Sequence, residues 1–202
     1  MMVSKESLDV RSVFMEGRTY STWRQDKVDD TLLRDIYGMA RMGPTSMNVC
    51  PLRVLFVREK EDKEKLVPCL SPGNVEKTRH APVTAIFAYD MAFYERMDVL
   101  APHVSYEDMV ARHRKDKERT EKTASFNAHL QAAYMMIAAR GMGLDCGPMG
   151  GFVAQRVDEA FFQESPRASW RSFLLCNMGH GEAQGLRARA YRLSFDEACA
   201  IL

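Results

Sequence analysis

Residues 123–140 read TASFNAHLQAAYMMIAAR, and residues 141–151 continue as GMGLDCGPMGG. The first stretch is alanine-rich and nearly apolar all round. It predicts a central helix covered on each side by another element, either the core or a subunit partner. Asn127, His129 and Gln131 interrupt it, and it falls short of the roughly 20 apolar residues that a bilayer span needs. The second stretch holds five glycines and Pro148. It approximates a dinucleotide fingerprint, but the third glycine comes one position late and the segment follows a helix instead of a strand, which argues against a Rossmann reading.

Working outward, residues 28–42 predict an amphipathic helix, with Leu32, Leu33, Ile36, Met39 and Ala40 at helical spacing and Gly43-Pro44 ending it. Residues 51–57 carry the run Val54-Leu55-Phe56-Val57 and predict a buried strand. Ser71-Pro72-Gly73-Asn74 is a turn cluster in which Asn74 is expected to cap a short helix through His80, leading into a second strand over 82–89. Downstream, Val157 to Phe162 mark a helix and 173–178 a third strand. A short helix is expected over 7–16, and another over 195–201 at the end of an arginine-bearing tail. The charge run 112–122 predicts a solvated helical face. Strand and helix alternate as in an α/β or α+β domain, with no internal repeat.

The chain has 202 residues, which suggests one domain over 1–202. Lys and Arg number 28 against 27 Asp and Glu, a net charge of +1, so no global field recruits nucleic acid or an acidic membrane. With 46% hydrophobic and 27% charged residues, a real core can form. Residues 1–10 lack the apolar run of a signal peptide. Cys50, Cys69, Cys146, Cys176 and Cys199 are odd in number and never spaced as Cys-x-x-Cys, so reduced thiols in a cytoplasm are expected, without a structural metal.

His80, His103, His113, His129 and His180 are scattered, with no i, i+4 pair of the kind a helical zinc site uses. Ser46, Cys50 and Cys146 would be nucleophiles only beside a base, and no Gly-x-Ser-x-Gly elbow is present. Four separated clusters of small, amide and basic residues stand out: Arg18-Thr19-Tyr20-Ser21, Pro44-Thr45-Ser46-Met47-Asn48, Asn74-Val75-Glu76-Lys77, and Gly147-Pro148-Met149-Gly150-Gly151. Arg189 and Arg192 add a fifth, since guanidinium forks suit a phosphate. Taken singly, each cluster reads as a turn, a cap or a solvated tail.

In this order, the clusters resemble the nitroreductase superfamily of FMN-dependent oxidoreductases across nearly the whole chain. Trp23-Arg24, Gly43-Pro44-Thr45-Ser46, Ser71-Pro72-Gly73-Asn74 and Phe93-Tyr94-Glu95-Arg96 look like the subgroup that contains malonic semialdehyde reductase of the Rut pyrimidine-degradation pathway and NAD(P)H nitroreductase relatives. Gln131-Ala132-Ala133-Tyr134, Gly143-Leu144-Asp145, Gly147-Pro148-Met149, Gly151-Phe152 and the ending from Arg192 to Cys199 strengthen the likeness. The resemblance implies an α+β fold, a mixed sheet flanked by helices, in an intertwined homodimer with two FMN sites at its interface.

It also implies roles. Arg18, Thr19 and Tyr20 would hold the ribityl phosphate end of FMN, completed by Arg189 and Arg192. Pro44, Thr45, Ser46 and Asn48 would line the flavin ring from the partner subunit, and Asn74 and Lys77 would bond its pyrimidine edge. Pro148, Met149 and Gly150 would pass the N5 side, with the Gly150 N–H meeting N5. Lys77 and Gly150 are thus the expected catalytic positions, since a fixed ammonium stabilises the charge of the reduced flavin. The implied mechanism is ping-pong: NADH or NADPH gives hydride to N5 and leaves, and a small acceptor then takes it. For malonic semialdehyde, reduced to 3-hydroxypropionate, Arg53 or an arginine of the charged segment is the candidate carboxylate partner.

Three departures from the wider family stand out. Tyr20 replaces a common Ser, Pro51-Leu52 a frequent Pro-Trp, and Gly150 a common acidic residue. The alternatives are a nitroaromatic or quinone reductase with the same cofactor residues, and a flavin-binding or flavin-storage protein with little turnover. A cofactor-free helical dimer explains the clusters only as unrelated turns.

Overall fold

Apolar side chains on both faces of the strands require helices on both sides of the sheet, and the computed structural model supplies them over the described residues, 9–184 and 186–202. In chain order the elements are α1 (Val10–Met15), α2 (Asp30–Ala40), β1 (Leu52–Val57), α3 (Lys60–Leu66), α4 (Val75–His80), β2 (Val83–Asp90), α5 (Met97–Leu100), α6 (Tyr106–Lys115), α7 (Lys117–Gly141), β3 (Asp145–Met149), α8 (Ala154–Phe161), β4 (Trp170–Gly179) and α9 (Phe195–Ala198). The sheet order is β1-β2-β4-β3, and every pair of neighbours is antiparallel. The parallel component of the expected mixed sheet is the single bridge between Thr19 and Cys146.

Alternation along β2 divides the core. Val83, Ala85 and Phe87 face α2 and α7, where Ile36, Ala128, Ala132 and Met135 meet them. Ile86 and Ala88 face the other way, onto Leu66, Val157, Phe161 and Phe162 of the α3 and α8 layer. A third cluster joins Val49, Phe93, Met97, Met109 and Ala124 beneath α5 and α6. No helix among the described residues is long and apolar enough to cross a membrane.

The helix read over 123–140 starts earlier, at Lys117. The charge run is therefore not one solvated face. Asp116 divides it, closing α6 and capping α7 by accepting from the Arg119 N–H at 2.9 Å. His113, within that run, is buried against Phe93 and Tyr94, its Nδ1 2.9 Å from Thr120 Oγ1. The glycine-rich stretch also departs from expectation, because Asp145–Met149 is the edge strand β3, making the strand expected at 173–178 the fourth. Of the helix expected over 7–16, the first residues lie outside the described ones.

On α7 only one side is covered among the described residues. Ala124, Ala128, Ala132, Met135 and Ala139 are buried, whereas Phe126, Leu130, Tyr134 and Ile137 form an exposed stripe, Phe126 at 61%. Two amides on the buried side reach backbone. Asn127 Oδ1 accepts from the Ser46 N–H at 2.7 Å, and Gln131 Oε1 accepts from the Leu52 N–H at 3.0 Å.

Two outcomes are expected. Gln131→Leu leaves the buried Leu52 N–H without a partner and costs about 1–3 kcal/mol in urea unfolding. Burial, aided by the Arg119 and Arg112 charges, holds His113 below its ordinary range. The unfolded chain therefore binds the extra proton first, and stability is lost as pH falls below the ordinary histidine value of about 6.5. Thermal midpoints measured from pH 7.5 to 5 should fall less steeply for His113→Gln than for the native chain.

Candidate functional site

Beside β3 the N-terminal segment runs so close that only glycine fits under it. A Cβ on Gly147 would sit 2.5 Å from the Tyr20 carbonyl oxygen, and one on Gly181 would sit 2.2 Å from the Tyr20 ring. The Tyr20 N–H donates to the Cys146 carbonyl at 3.4 Å. Burial and the Asp145 carboxylate raise the Tyr20 phenol above its ordinary value, against the lowering effect of Arg18, so it stays protonated at neutral pH.

This docking brings Arg18 next to the tail. Arg18 donates to the Arg187 carbonyl, and Arg189 Nη2 donates to the Met15 and Gly17 carbonyls at 2.7 and 3.2 Å. Two guanidinium groups thus converge with backbone oxygens as their partners, and no ion pair holds either one among the described residues. Arg192 donates to the Ala190 and Tyr191 carbonyls of its own segment.

At the other end of β3, Pro148 and Met149 lead into exposed Gly150. Asn74 does not cap α4 with its side chain, as the sequence suggested. Its Nδ2 instead donates to the Gly151 carbonyl at 2.9 Å, alongside the Ser71 N–H at the same distance. The half-buried Lys77 donates to Asn74 Oδ1 at 3.4 Å. Met149 is buried, its sulfur contacted by Thr78 Oγ1 and Asn177 Nδ2. The third and fourth clusters therefore meet at the contact of Asn74 with Gly151, with Lys77 held on Asn74 and Gly150 exposed beside it.

The Pro44 to Asn48 cluster lies apart. It precedes β1, at the opposite edge of the sheet from β3, and three strand spacings amount to roughly 14 Å. Its backbone is strained. Met47, Asn48 and Cys50 have φ of 51°, 56° and 39°, a region costly for side-chain-bearing residues. Asn127 holds Ser46, Asn48 Nδ2 donates to the Leu100 carbonyl at 2.8 Å, and the Cys50 N–H donates to Thr45 Oγ1 at 3.3 Å. Pro44, Ser46 and Asn48 are exposed.

A cleft of about 830 Å³ runs between α2 and the outer edge of β1 and contains none of the residues assigned to the cofactor. Arg53, one of its lining residues, is committed to Asp90 at 2.7 Å, and Asp90 also accepts from Ser169 Oγ and the Ala92 N–H. It is therefore not available as the carboxylate partner considered from sequence. A smaller cavity of about 440 Å³ opens where α6 and α7 meet the Ser46 to Val49 loop, bringing Ser46, expected at the flavin ring, beside Arg112 and Arg119 of the charged segment. Arg119, Lys122 and Phe126 at i, i+3 and i+7 were the available signal, masked by the length of the charge run.

A model of the Nitroreductase family matches residues 15–180. The chain is 45% identical over 190 residues, 94% of its own length and 94% of the relative's, to a protein of Ralstonia nicotianae named "Putative NADH dehydrogenase/NAD(P)H nitroreductase". Among solved structures it resembles one from Exiguobacterium sibiricum described as a "putative nitroreductase in complex with FMN", with TM-score 0.80, 18% identity and coverage of 99% and 100% of the two chains. It also resembles a nitroreductase family protein from Streptococcus pneumoniae, with TM-score 0.79, 22% identity and coverage of 96% and 100%. At these identities the structures show the shared α+β fold.

Two glycines of the patch should respond differently to substitution. A Cβ at Gly151 would fall 2.7 Å from Asn74 Nδ2, whereas one at Gly150 meets nothing within 4 Å. Gly151→Ala is expected to displace Asn74 and cost about 1–3 kcal/mol. In thermal unfolding that is a fall of roughly 2–4 °C per kcal/mol, with Gly150→Ala close to the native value.

Proposed function

The chain belongs to the nitroreductase family, and on that footing we propose that it is an FMN-dependent NAD(P)H oxidoreductase acting as a cytoplasmic homodimer, with residues 1–202 as one catalytic domain. The observation that carries the reading is the donor set along β3. Uncompensated guanidinium groups of Arg18 and Arg189 stand at one end, and the Asn74 amide, the Lys77 ammonium and open space beside Gly150 at the other. The first end suits a phosphate and the second an imide-bearing ring.

Bound there, FMN supplies a ring that takes two electrons from NADH or NADPH and returns them to an acceptor. The chain's part is to bind and bias. Arg18 and Arg189 would hold the phosphate, with Thr19 and Tyr20 fixing the segment that carries Arg18. Asn74, held by Gly151, would orient the pyrimidine edge, and Lys77, tethered to Asn74, would place positive charge where reduction gathers negative charge. Gly150 would offer its N–H from a segment with no side chain in the way.

The Pro44, Thr45, Ser46 and Asn48 loop would complete the site from the partner, which its place at the far edge of the sheet favours. An assembly is further supported by the α7 stripe, the open edge of β1 and an accessible surface of 12875 Å², against about 9,600 Å² expected for a compact monomer of this mass. The five free cysteines accord with a reducing compartment.

For the acceptor we propose a small carbonyl compound, malonic semialdehyde being the one the subgroup likeness implies. The aldehyde gains a hydride equivalent from NAD(P)H and one proton from solvent, giving 3-hydroxypropionate and NAD(P)⁺. A nitroaromatic acceptor is the second reading, favoured by the name of the Ralstonia relative.

The visible absorbance of the purified protein tests the cofactor, before and after FMN and then NAD(P)H are added without oxygen. Flavin bands that bleach are expected. Failure to bind flavin overturns the reading, and binding without bleaching leaves a flavin-storage protein. Side-by-side turnover of an aldehyde, a quinone and a nitroarene separates the acceptors. Lys77→Ala should leave the oligomeric state intact while slowing flavin reduction about tenfold or more in stopped flow.

A further inference from the structure

We propose that Arg140, at the end of α7, is a positioning residue of the phosphate end of the site. It holds the segment that carries Arg18, and its charge lets the site select a flavin bearing a phosphate monoester over the same flavin without one. This rests on the function proposed above and adds a residue that the family likeness did not assign.

Arg140 Nη2 donates to the Arg18 carbonyl at 3.4 Å. Its guanidinium reaches that carbonyl because Gly17 has no side chain. A Cβ on Gly17 would lie 3.1 Å from Arg140 Nη1 and 2.6 Å from the Val13 carbonyl oxygen. The neighbouring Gly17 carbonyl accepts from Arg189. Two consecutive carbonyls thus draw in two guanidinium groups, one from α7 and one from the tail, beside Arg18, whose own guanidinium reaches the Arg187 carbonyl.

These charges are not balanced locally. None of Arg18, Arg140 and Arg189 is in an ion pair among the described residues, and Arg140 Nε is buried without a partner. Of the carboxylates on the adjoining segments, Glu16 accepts from Ser12 Oγ at 3.4 Å, and Asp145 accepts from the Gly181 N–H at 2.9 Å. Burial raises Asp145 above the ordinary carboxylate range, against the lowering effects of the Gly181 N–H, His180 and Arg140. Asp9 and Glu182 are exposed and pair with none of the three, and the exposed Arg11 and Arg187 add to the positive excess. The last turn of α7 tolerates the Arg140 cation, because the carbonyl end of a helix carries partial negative charge. Guanidinium groups held only on main-chain oxygens still repel one another. A phosphate dianion relieves that repulsion, whereas an uncharged ribityl end does not.

The test is a titration of the full chain, freed of bound flavin, with FMN and with riboflavin, read by the quenching of flavin fluorescence. The native chain should bind FMN at least about a hundredfold more tightly than riboflavin. Arg140→Gln should reduce that preference about tenfold or more, with riboflavin affinity little changed, whereas Arg140→Lys should keep it within about threefold of native. Where Arg140→Gln no longer melts cooperatively, Arg140→Met takes its place with the same expected outcome. Equal binding of the two flavins by the native chain, or a preference that survives in the neutral variant, overturns the proposal. So does an equal weakening of both flavins, which marks a packing role alone, or a loss in Arg140→Lys as large as in Arg140→Gln. A native chain that binds neither flavin refutes the oxidoreductase reading itself.

Discussion

Two side-chain amides one helical turn apart, Asn127 and Gln131, hold the backbone that enters the sheet. An otherwise apolar helix cannot satisfy buried N–H groups, and an unpaired one costs about as much as a lost hydrogen bond. Asn127 takes the Ser46 N–H and Gln131 takes that of Leu52, fixing both ends of the segment between them. Between these anchors three side-chain-bearing residues adopt positive φ, each at a cost of order 1–3 kcal/mol. Such a conformation persists only where its surroundings over-determine it. The same two bonds set the start of β1, and with it the register of Leu52 against Tyr89 at the edge of the sheet.

At the opposite edge the controlling constraint is closeness. Segment 18–20 lies over Gly147 and Gly181, and Asn74 lies against Gly151, at separations that a single Cβ would violate. Glycine serves here by removing side-chain volume, since its positive-φ freedom is used at Gly143 alone among the described residues. The guanidinium end and the amide end of the patch are thus carried by one short strand, whose own residues contribute backbone and little else.

Where local chemistry and tertiary placement agreed, the sequence was readable. Helix α2 follows from apolar periodicity, and strands β1 and β2 and the body of α7 from apolar runs, all within a few residues of expectation. Strand β3 was not readable because Asp, Gly and Pro have poor strand propensity, and pairing with β4 makes Asp145–Met149 a strand. Asn74 was assigned to a cap by its position before a helix, and only the distant Gly151 carbonyl reveals its use. His113 sat inside a charge run, yet its ring is buried because Asp116 breaks that run and lets α6 fold back on α7. The meeting of Arg18 with the tail was implied by the family resemblance and by nothing in the spacing. The bonding of Arg192 to its own segment's carbonyls and the pairing of Arg53 with Asp90 are decided by contacts that no spacing encodes.

The placement of the two halves of the proposed site on opposite edges of the sheet has a consequence under mass action. In the proposed dimer, the free energy of cofactor binding and that of subunit association are one linked quantity, because each stabilises the arrangement the other requires. Dilution that separates the subunits would loosen the cofactor, and saturating cofactor would hold the subunits together at concentrations where they would otherwise part. The amount of active catalyst would then rise more steeply than in proportion to the amount of chain made.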